Sequence, residues 1–300
     1  MSNHILDGLL DKLPEEIRQD VKKRLTNVIN YTPKIGVMGK SGAGKSSLIN
    51  AILGKQICQT GGVGGCTRKF QEERSTIGNS TIIFMDLPGI AENENRDLEY
   101  KQLYAEKIKG LDLILWVIKV DDRANQNDEE FYNWLIQYCH KERILFVLSQ
   151  CDKAEPSRDW NYDTYQPSEE QLNIINQNKQ RIVDNFRVSS DNVLPVACSY
   201  YKGKFDRWQI ELLMTRVIQC IPPEASPIIR KHMDPQNRTP ESDRKAKEDW
   251  EKVLDKIIGY AIDYAIDKLR IPKMAKDILI EGKDFIIDKG RKLYDFIFGD

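Results

Sequence analysis

Three hundred residues, 40% hydrophobic and 30% charged, describe a folded chain with room for one sizeable α/β domain and a smaller appendage, and exclude disorder as the main theme. Lys+Arg 45 against Asp+Glu 46 leaves a net charge of -1, so no global field draws the chain to nucleic acid or an anionic bilayer. The six cysteines (Cys58, Cys66, Cys139, Cys151, Cys198, Cys220) include no Cys-x-x-Cys pair, which argues against a zinc site or disulfide framework and predicts free thiols in a reducing cytoplasm.

The first apolar residues, Ile5, Leu6, Leu9, Leu10 and Leu13, are interrupted by Asp7 and Asp11 with no small-residue cleavage site after them, so no signal peptide is expected. Nowhere does an uncharged run approach the ~20 residues that cross a bilayer. From Pro14 to Ile29 the residues Ile17, Val21, Leu25 and Val28 recur at helical spacing, with Glu15 and Glu16 in the favourable first turn. This predicts an amphipathic helix within residues 1–32.

A strand is predicted over Lys34–Met38, followed by Gly39-Lys40-Ser41-Gly42-Ala43-Gly44-Lys45-Ser46-Ser47 and a helix. Gly39 and Gly44 bracket a loop whose backbone N–H groups turn inward, where side chains would block a polyphosphate. The helix beginning near Lys45 adds its positive end. Residues Ser41 to Ser47 are therefore predicted to bind phosphates, with Lys45 on the β- and γ-phosphates and the Ser46 hydroxyl on Mg²⁺.

Beyond this loop the Gly-rich stretch Gly61-Gly62-Val63-Gly64-Gly65 gives mobility to a segment carrying Thr67, predicted to complete the metal shell. Arg68, beside it, reads first as a solvated arginine and otherwise as a charge stabiliser. Strands over Lys69–Ile77 and Thr81–Met85 are joined by Gly78-Asn79, a turn too short for a helical crossover, so the pair is predicted antiparallel with the polar first member at the sheet edge. Asp86 then stands at a strand end, where a carboxylate holds Mg²⁺ through its water shell. In Asp86-Leu87-Pro88-Gly89 the bare N–H of Gly89 can approach a γ-phosphate, a contact present before hydrolysis and absent after it. Such a turn is common alone; downstream of the phosphate loop it reads as a switch.

Further strands are predicted at Leu113–Ile118, Ile144–Leu148 and Val193–Val196, with helices between most of them, the alternation of a mostly parallel sheet. Asp121, Asp122 and Arg123 close the first of these and read equally well as an ordinary charged loop. The second runs into Ser149-Gln150-Cys151-Asp152. A carboxylate at Asp152 accepts from guanine N1–H and the exocyclic amine, whereas adenine offers an acceptor there; an unpaired group costs on the order of 1–3 kcal/mol. That favours GTP over ATP. After the last strand, a backbone N–H at Ala197 or Cys198 is placed to donate to guanine O6.

From Glu224 to Pro240 the prolines Pro227, Pro235 and Pro240 forbid a continuous helix, and a linker over 223–240 is predicted. A helix follows from Glu241 to Leu269, with Leu254, Ile258, Ile262, Ile266 and Leu269 on one side, and Pro272 starts a second with Ala275, Leu279, Gly282, Ile286, Gly290, Leu293 and Ile297. Between Glu241 and Asp300, 13 Lys+Arg face 14 Asp+Glu, so attraction to anionic lipid is weak. Ile257, Tyr260, Tyr264 and Phe296-Ile297-Phe298 widen the apolar face. Packing within the chain is the plain reading; a protein effector, a second copy or peripheral membrane contact are the alternatives.

The order of these elements over residues 33 to 222 resembles the small GTPases of the translation-factor-related class, the Era-like group with an MMR/HSR1-type domain. The runs Gly36-Val37-Met38-Gly39-Lys40-Ser41-Gly42-Ala43-Gly44-Lys45-Ser46-Ser47, Leu115-Trp116-Val117-Ile118-Lys119-Val120-Asp121-Asp122-Arg123-Ala124 and Gln150-Cys151-Asp152-Lys153-Ala154-Glu155-Pro156 are similar to the bacterial YfjP-type GTPase family. The resemblance implies a P-loop, Ras-like G domain with a six-stranded sheet, a leading helix and a C-terminal helical region at 241–300, binding GTP with Mg²⁺ and hydrolysing it slowly. Lys45, Thr67 and Gly89 would carry catalysis. Three departures stand out. The base-reading motif, usually Asn or Thr, Lys, any residue, Asp, is Ser149, Gln150, Cys151, Asp152 here, and Gln150 lacks the lysine charge, which predicts lower affinity. Gly42 stands where potassium-using relatives carry Asn, so potassium activation is not expected. Ile90 follows Gly89 in place of a water-orienting Gln, which predicts slow turnover.

Overall fold

The computed structural model describes residue 10 and residues 15–58, 71–87, 98–122, 126–201, 203–269 and 273–299. In chain order the elements are α1 (Glu15–Ile29), β1 (Lys34–Met38), α2 (Lys45–Leu53), β2 (Gln71–Ile77), β3 (Ser80–Leu87), α3 (Leu98–Lys109), β4 (Leu113–Lys119), α4 (Gln126–Leu135), β5 (Ile144–Ser149), α5 (Glu169–Phe186) and β6 (Val193–Pro195). A small hairpin, β7 (Tyr200–Tyr201) and β8 (Lys204–Phe205), precedes α6 (Ile210–Cys220), α7 (Ser226–His232), α8 (Pro240–Leu269) and α9 (Lys273–Phe298). Six strands form one sheet in the order β2-β3-β1-β4-β5-β6. Among the described residues of this sheet the β2–β3 pair alone is antiparallel, with Ile77 opposite Ser80 across Gly78-Asn79, and polar β2 lies at the edge.

Alternation along the central strands divides the core into two layers, because successive side chains of a strand leave opposite faces. Leu113, Leu115 and Val117 of β4 join Ile35, Val37, Leu145 and Val147 beneath α2 and α6. Ile114, Trp116 and Ile118 join Met38, Phe146 and Leu148 beneath α3, α4 and α5, where Trp116 stacks on Phe146 with centroids 5.4 Å apart. Strands covered on both faces read as unbroken apolar runs, which is why β4 and β5 are so plain in the sequence.

A third core lies away from the sheet. Ile17, Val21 and Leu25 of α1 meet Trp250, Leu254 and Ile258 of α8 and Leu293, Tyr294 and Phe298 of α9, so the two ends of the chain share one helical layer. Trp250 Nε1 donates to the Gly290 carbonyl at 2.8 Å, and a Cβ on Gly290 would lie 2.2 Å from Leu254 Cδ1, so a side chain there would displace the Leu254 side chain. Ile257 is buried in this layer, while Tyr260, Tyr264 and Phe296 are exposed; the Arg24 guanidinium lies over the Tyr260 ring at 3.8 Å. Among the described residues no helix is long and apolar enough to cross a membrane.

The stretch predicted as a linker is instead a packed strap. No continuous helix runs through it, but Pro227 sits in the first turn of α7, where a missing N–H costs nothing, and a 3₁₀ turn spans Pro235–Asn237. Ala225, Ile228, Ile229 and Met233 are buried. Asp234 N–H donates to the Ile52 carbonyl at 2.9 Å and Asn237 Nδ2 to the Ala51 carbonyl at 2.9 Å, fastening the strap to the end of α2. At the other side Arg230 Nη1 and Lys231 Nζ donate to the carbonyls of Phe298 and Ile297 at 3.0 and 2.7 Å, satisfying the exposed end of α9.

His232 ends α7 against the β2–β3 hairpin. It is 2% exposed, with Nε2 2.8 Å from Ser80 Oγ and Nδ1 3.4 Å from Ser75 Oγ. Desolvation, helped by the charges of Lys55 and Lys231, lowers its pKa from 6.5 to about 4. The unfolded chain therefore takes up this proton first as pH falls, and stability is lost on descending from pH 6.5 to 4. At about pH 5 the loss is on the order of 2 kcal/mol. His232→Gln, a polar side chain that does not titrate, is expected to remove that slope, as read from urea midpoints at about pH 7 and pH 5.

Candidate functional site

The site is assembled where β1, β3, β4 and β5 end. Gly39 leaves β1 at φ 144°, and a Cβ there would lie 2.2 Å from the Val117 carbonyl oxygen of β4, so only glycine lets the loop start this close to the sheet. Gly44 caps α2 at φ 92° without a side-chain hydrogen bond to the first turn, which leaves helix N–H groups for an anion. Between them lie exposed Ser41 and Gly42 and buried Ala43, while Ser46 and Ser47 follow half-buried in the first turn.

Lys45 Nζ donates to the carbonyls of Gly39 at 2.8 Å and Lys40 at 3.3 Å, which folds the ammonium back across the loop. It also lies 3.9 Å from Asp86 Oδ1. Asp86 pairs in register with Val37, so parallel pairing of β1 and β3 delivers this carboxylate to the mouth of the loop. Ser46 and Asp86 supply the hard oxygen donors that suit Mg²⁺, an ion that takes one or two protein oxygens and completes its shell with phosphate and water. Thr67 and Gly89, with Arg68 and Ile90, lie outside the described residues.

The loop is held from behind. Lys40 Nζ lies 3.0 Å from Asp122 Oδ2 and 3.7 Å from Asp128, and Arg181 Nη2 donates to the Asp122 carbonyl at 2.8 Å. Asp122 therefore has a defined partner in the phosphate loop, a role that its place in a charged run did not reveal.

The end of β5 reaches the same loop. Ser149, fully buried, donates through Oγ to the Ala43 carbonyl at 2.7 Å and lies 3.2 Å from the Ile118 carbonyl. Gln150, at φ 57°, donates through Nε2 to the Gly42 carbonyl at 2.7 Å and accepts from Lys153 Nζ at 2.8 Å. The 3₁₀ turn Cys151–Lys153 then carries Asp152 inward to 6% exposure. Burial raises the Asp152 pKa, and the Lys153 charge opposes that rise. The segment beyond is anchored by Gln171, whose Nε2 donates to the Ala154 carbonyl at 3.0 Å while its backbone and side chain form a reciprocal cap with Ser168.

The loop after β6 meets Asp152 from the other side. The Cys198 thiol is pushed up to about 12 by burial and by the charges of Asp152 and Asp206. Ala197 differs from expectation: its N–H is donated to the Trp208 carbonyl at 3.2 Å, because the chain returns through β7–β8 alongside it.

Residues 34–150 match the family model described as 50S ribosome-binding GTPase, MMR_HSR1. YfjP of Escherichia coli (strain K12) is 33% identical over 293 residues, covering 98% of this chain and 97% of that one. YkfA of the same strain is also 33% identical over 293 residues, covering 96% of each. The chain belongs to the YfjP-type family of bacterial GTPases. GTPase Era of Ureaplasma parvum serovar 3 is 34% identical over 122 residues, 40% of each chain. As in other members of this class, a GTP-binding G domain holds the phosphate loop, and in this YfjP-type chain the helical ends are additions to it.

Ser149→Ala removes the hydroxyl that ties β5 to the phosphate loop. The expected outcome is a loss of about 1–2 kcal/mol in chemical denaturation together with several-fold weaker GDP binding by calorimetry.

Proposed function

We propose that the protein binds GTP with Mg²⁺ in the cytoplasm and hydrolyses it slowly, acting as a switch. The observation that carries the reading is the 2.7 Å bond from Ser149 to the Ala43 carbonyl, which brings a buried carboxylate three residues on, Asp152, to the loop that suits a triphosphate. On binding, Lys45 exchanges the Gly39 and Lys40 carbonyls for β- and γ-phosphate oxygens, while N–H groups from Ser41 to Ser47 take the remaining phosphate charge, that of Ala43 on leaving the Lys40 carbonyl it meets at 3.1 Å. Ser46, Asp86 and Thr67 hold Mg²⁺, which when bound offsets charge developing on the phosphates. Asp152 accepts from the guanine N1–H and amine, with the Cys198 N–H placed for O6.

Slow turnover follows from Ile90, which offers no polar group to orient water beside Gly89. Thr67 and Gly89 flank β2 and β3 in the chain, so movement at either bears on that hairpin. His232 then joins the hairpin to α7, and α7 holds the end of α9 through Arg230 and Lys231. This gives the nucleotide site a contact route to the helical layer. Output through that layer goes to a protein partner or a second copy of the chain; the exposed Tyr264 and Phe296 also favour, as the alternative, a self-assembling GTPase at a membrane surface.

Single-turnover measurement on purified protein tests the catalytic half: phosphate release from bound GTP over minutes to hours is expected, and stoichiometric binding without release would leave a binding module. Asp152→Asn tests the base assignment. Its preference is expected to move from guanine to xanthine nucleotides by at least about ten-fold, since an amide can donate to the xanthine oxygen that replaces the guanine amine. An unchanged preference in competition calorimetry would remove Asp152 from base recognition.

A further inference from the structure

After Cys198 the chain leaves the sheet for the β7–β8 hairpin and returns at Trp208. The excursion is closed at its base by two backbone bonds, Asp206 N–H to the Ser199 carbonyl at 2.7 Å and Ala197 N–H to the Trp208 carbonyl at 3.2 Å. The Asp206 carboxyl links them: its Oδ1 accepts from the Trp208 N–H at 3.2 Å, fixing the residue whose carbonyl holds Ala197. The Trp160 indole meets Trp208 edge-on with centroids 5.7 Å apart and closes this corner.

Asp206 is 2% exposed, and besides the Trp208 N–H its carboxyl has the Trp160 indole as a hydrogen-bonding neighbour. Burial pushes its pKa up to about 6; the Trp208 N–H opposes the rise and the Asp152 charge adds to it. The Cys198 thiol senses both carboxylates, so Asp152, Cys198 and Asp206 form one buried cluster. A buried carboxyl whose desolvation outweighs the hydrogen bonds it receives is a poor choice for stability alone. Its position behind the base-reading residues supplies another reason for it.

We propose that Asp206 is a positioning residue for base recognition, resting on the reading of Asp152 as the guanine contact: by locking Trp208 it fixes the Ala197–Cys198 backbone beside Asp152. Phosphate binding does not depend on this lock, so its loss acts on the base alone.

Dissociation constants for GDP and ADP, measured by calorimetry on the wild type, Asp206→Ala and Asp206→Asn, test it. ADP shares the phosphate contacts and lacks the guanine edge. Asp206→Ala is expected to weaken GDP about ten-fold and ADP by less than about two-fold, narrowing the preference. Asp206→Asn keeps an oxygen for the Trp208 N–H and is expected to stay within about two-fold of wild type for both. The inference is overturned by GDP affinity unchanged in the alanine variant, by equal weakening of GDP and ADP, or by an asparagine variant as weak as the alanine one. Should the alanine variant not fold, Asp206→Ser carries the same comparison with the same outcomes. A wild type that binds both nucleotides without preferring GDP overturns the guanine reading itself, and this inference with it.

Discussion

Two hydrogen bonds from the end of β5 to the carbonyls of the phosphate loop hold the candidate site together. Ser149 Oγ reaches Ala43 and Gln150 Nε2 reaches Gly42, each at 2.7 Å. Because a peptide unit is planar and trans, a carbonyl turned toward β5 sends the N–H of the next residue to the opposite side. The bond to Ala43 therefore aims the Gly44 N–H away from β5, and the positive φ of Gly42 and Gly44 permits the reversals this requires. The same bonds fix how far Asp152 lies from the phosphate loop, so they set both the shape of that loop and the reach from it to the end of β5.

The rest of the fold keeps that contact rigid at one side and connected at the other. Beneath it, β4 and β5 are covered on both faces, and the aromatic group Trp116, Phe146, Phe131, Tyr132 and Phe186 fills the layer under α4 and α5. Close packing there resists small displacement. On the β2–β3 side the sheet meets α7 through a buried histidine and two serines, a polar contact whose partners must all stay aligned to avoid an unsatisfied buried group. The successive residues Arg230, Lys231 and His232 at the end of α7 couple the hairpin to the carboxyl end of α9.

Much of this was legible in the residues. Five of the six strands came from apolar runs, polar β2 and its antiparallel pairing from a two-residue turn, and the place of Asp86 near the phosphate loop from its position at a strand end. Asp122 was visible only as part of a charged run, because its partner Lys40 lies 82 positions away and no local pattern connects them. Asp206 was invisible for another reason: its bond to the Trp208 N–H is local, and only the fold sets that corner beside Asp152. The strap at 224–240 was misread because proline spacing says what backbone is forbidden, while Ile228 and Ile229 say what will be buried, and the second signal is weak in so short a segment. That α1 would pack with α8 and α9 is a tertiary fact; each helix shows an apolar stripe, and none names its partner.

The motif departure at Gln150 shows how geometry revises a charge argument. Replacing the usual lysine by glutamine predicts a lost cation beside the nucleotide. In the fold the Gln150 amide provides the tether to Gly42, and Lys153 donates to its other end at 2.8 Å, so a cation returns to the same turn three residues later. The left-handed backbone at Gln150 costs on the order of 1 kcal/mol, which these two bonds offset. Lys153 also opposes the desolvation that raises the Asp152 pKa. A carboxylate accepts from two guanine donors only while ionised. The displaced charge thus acts on Asp152, the residue proposed to read the base, where a lysine at position 150 would have acted on the loop.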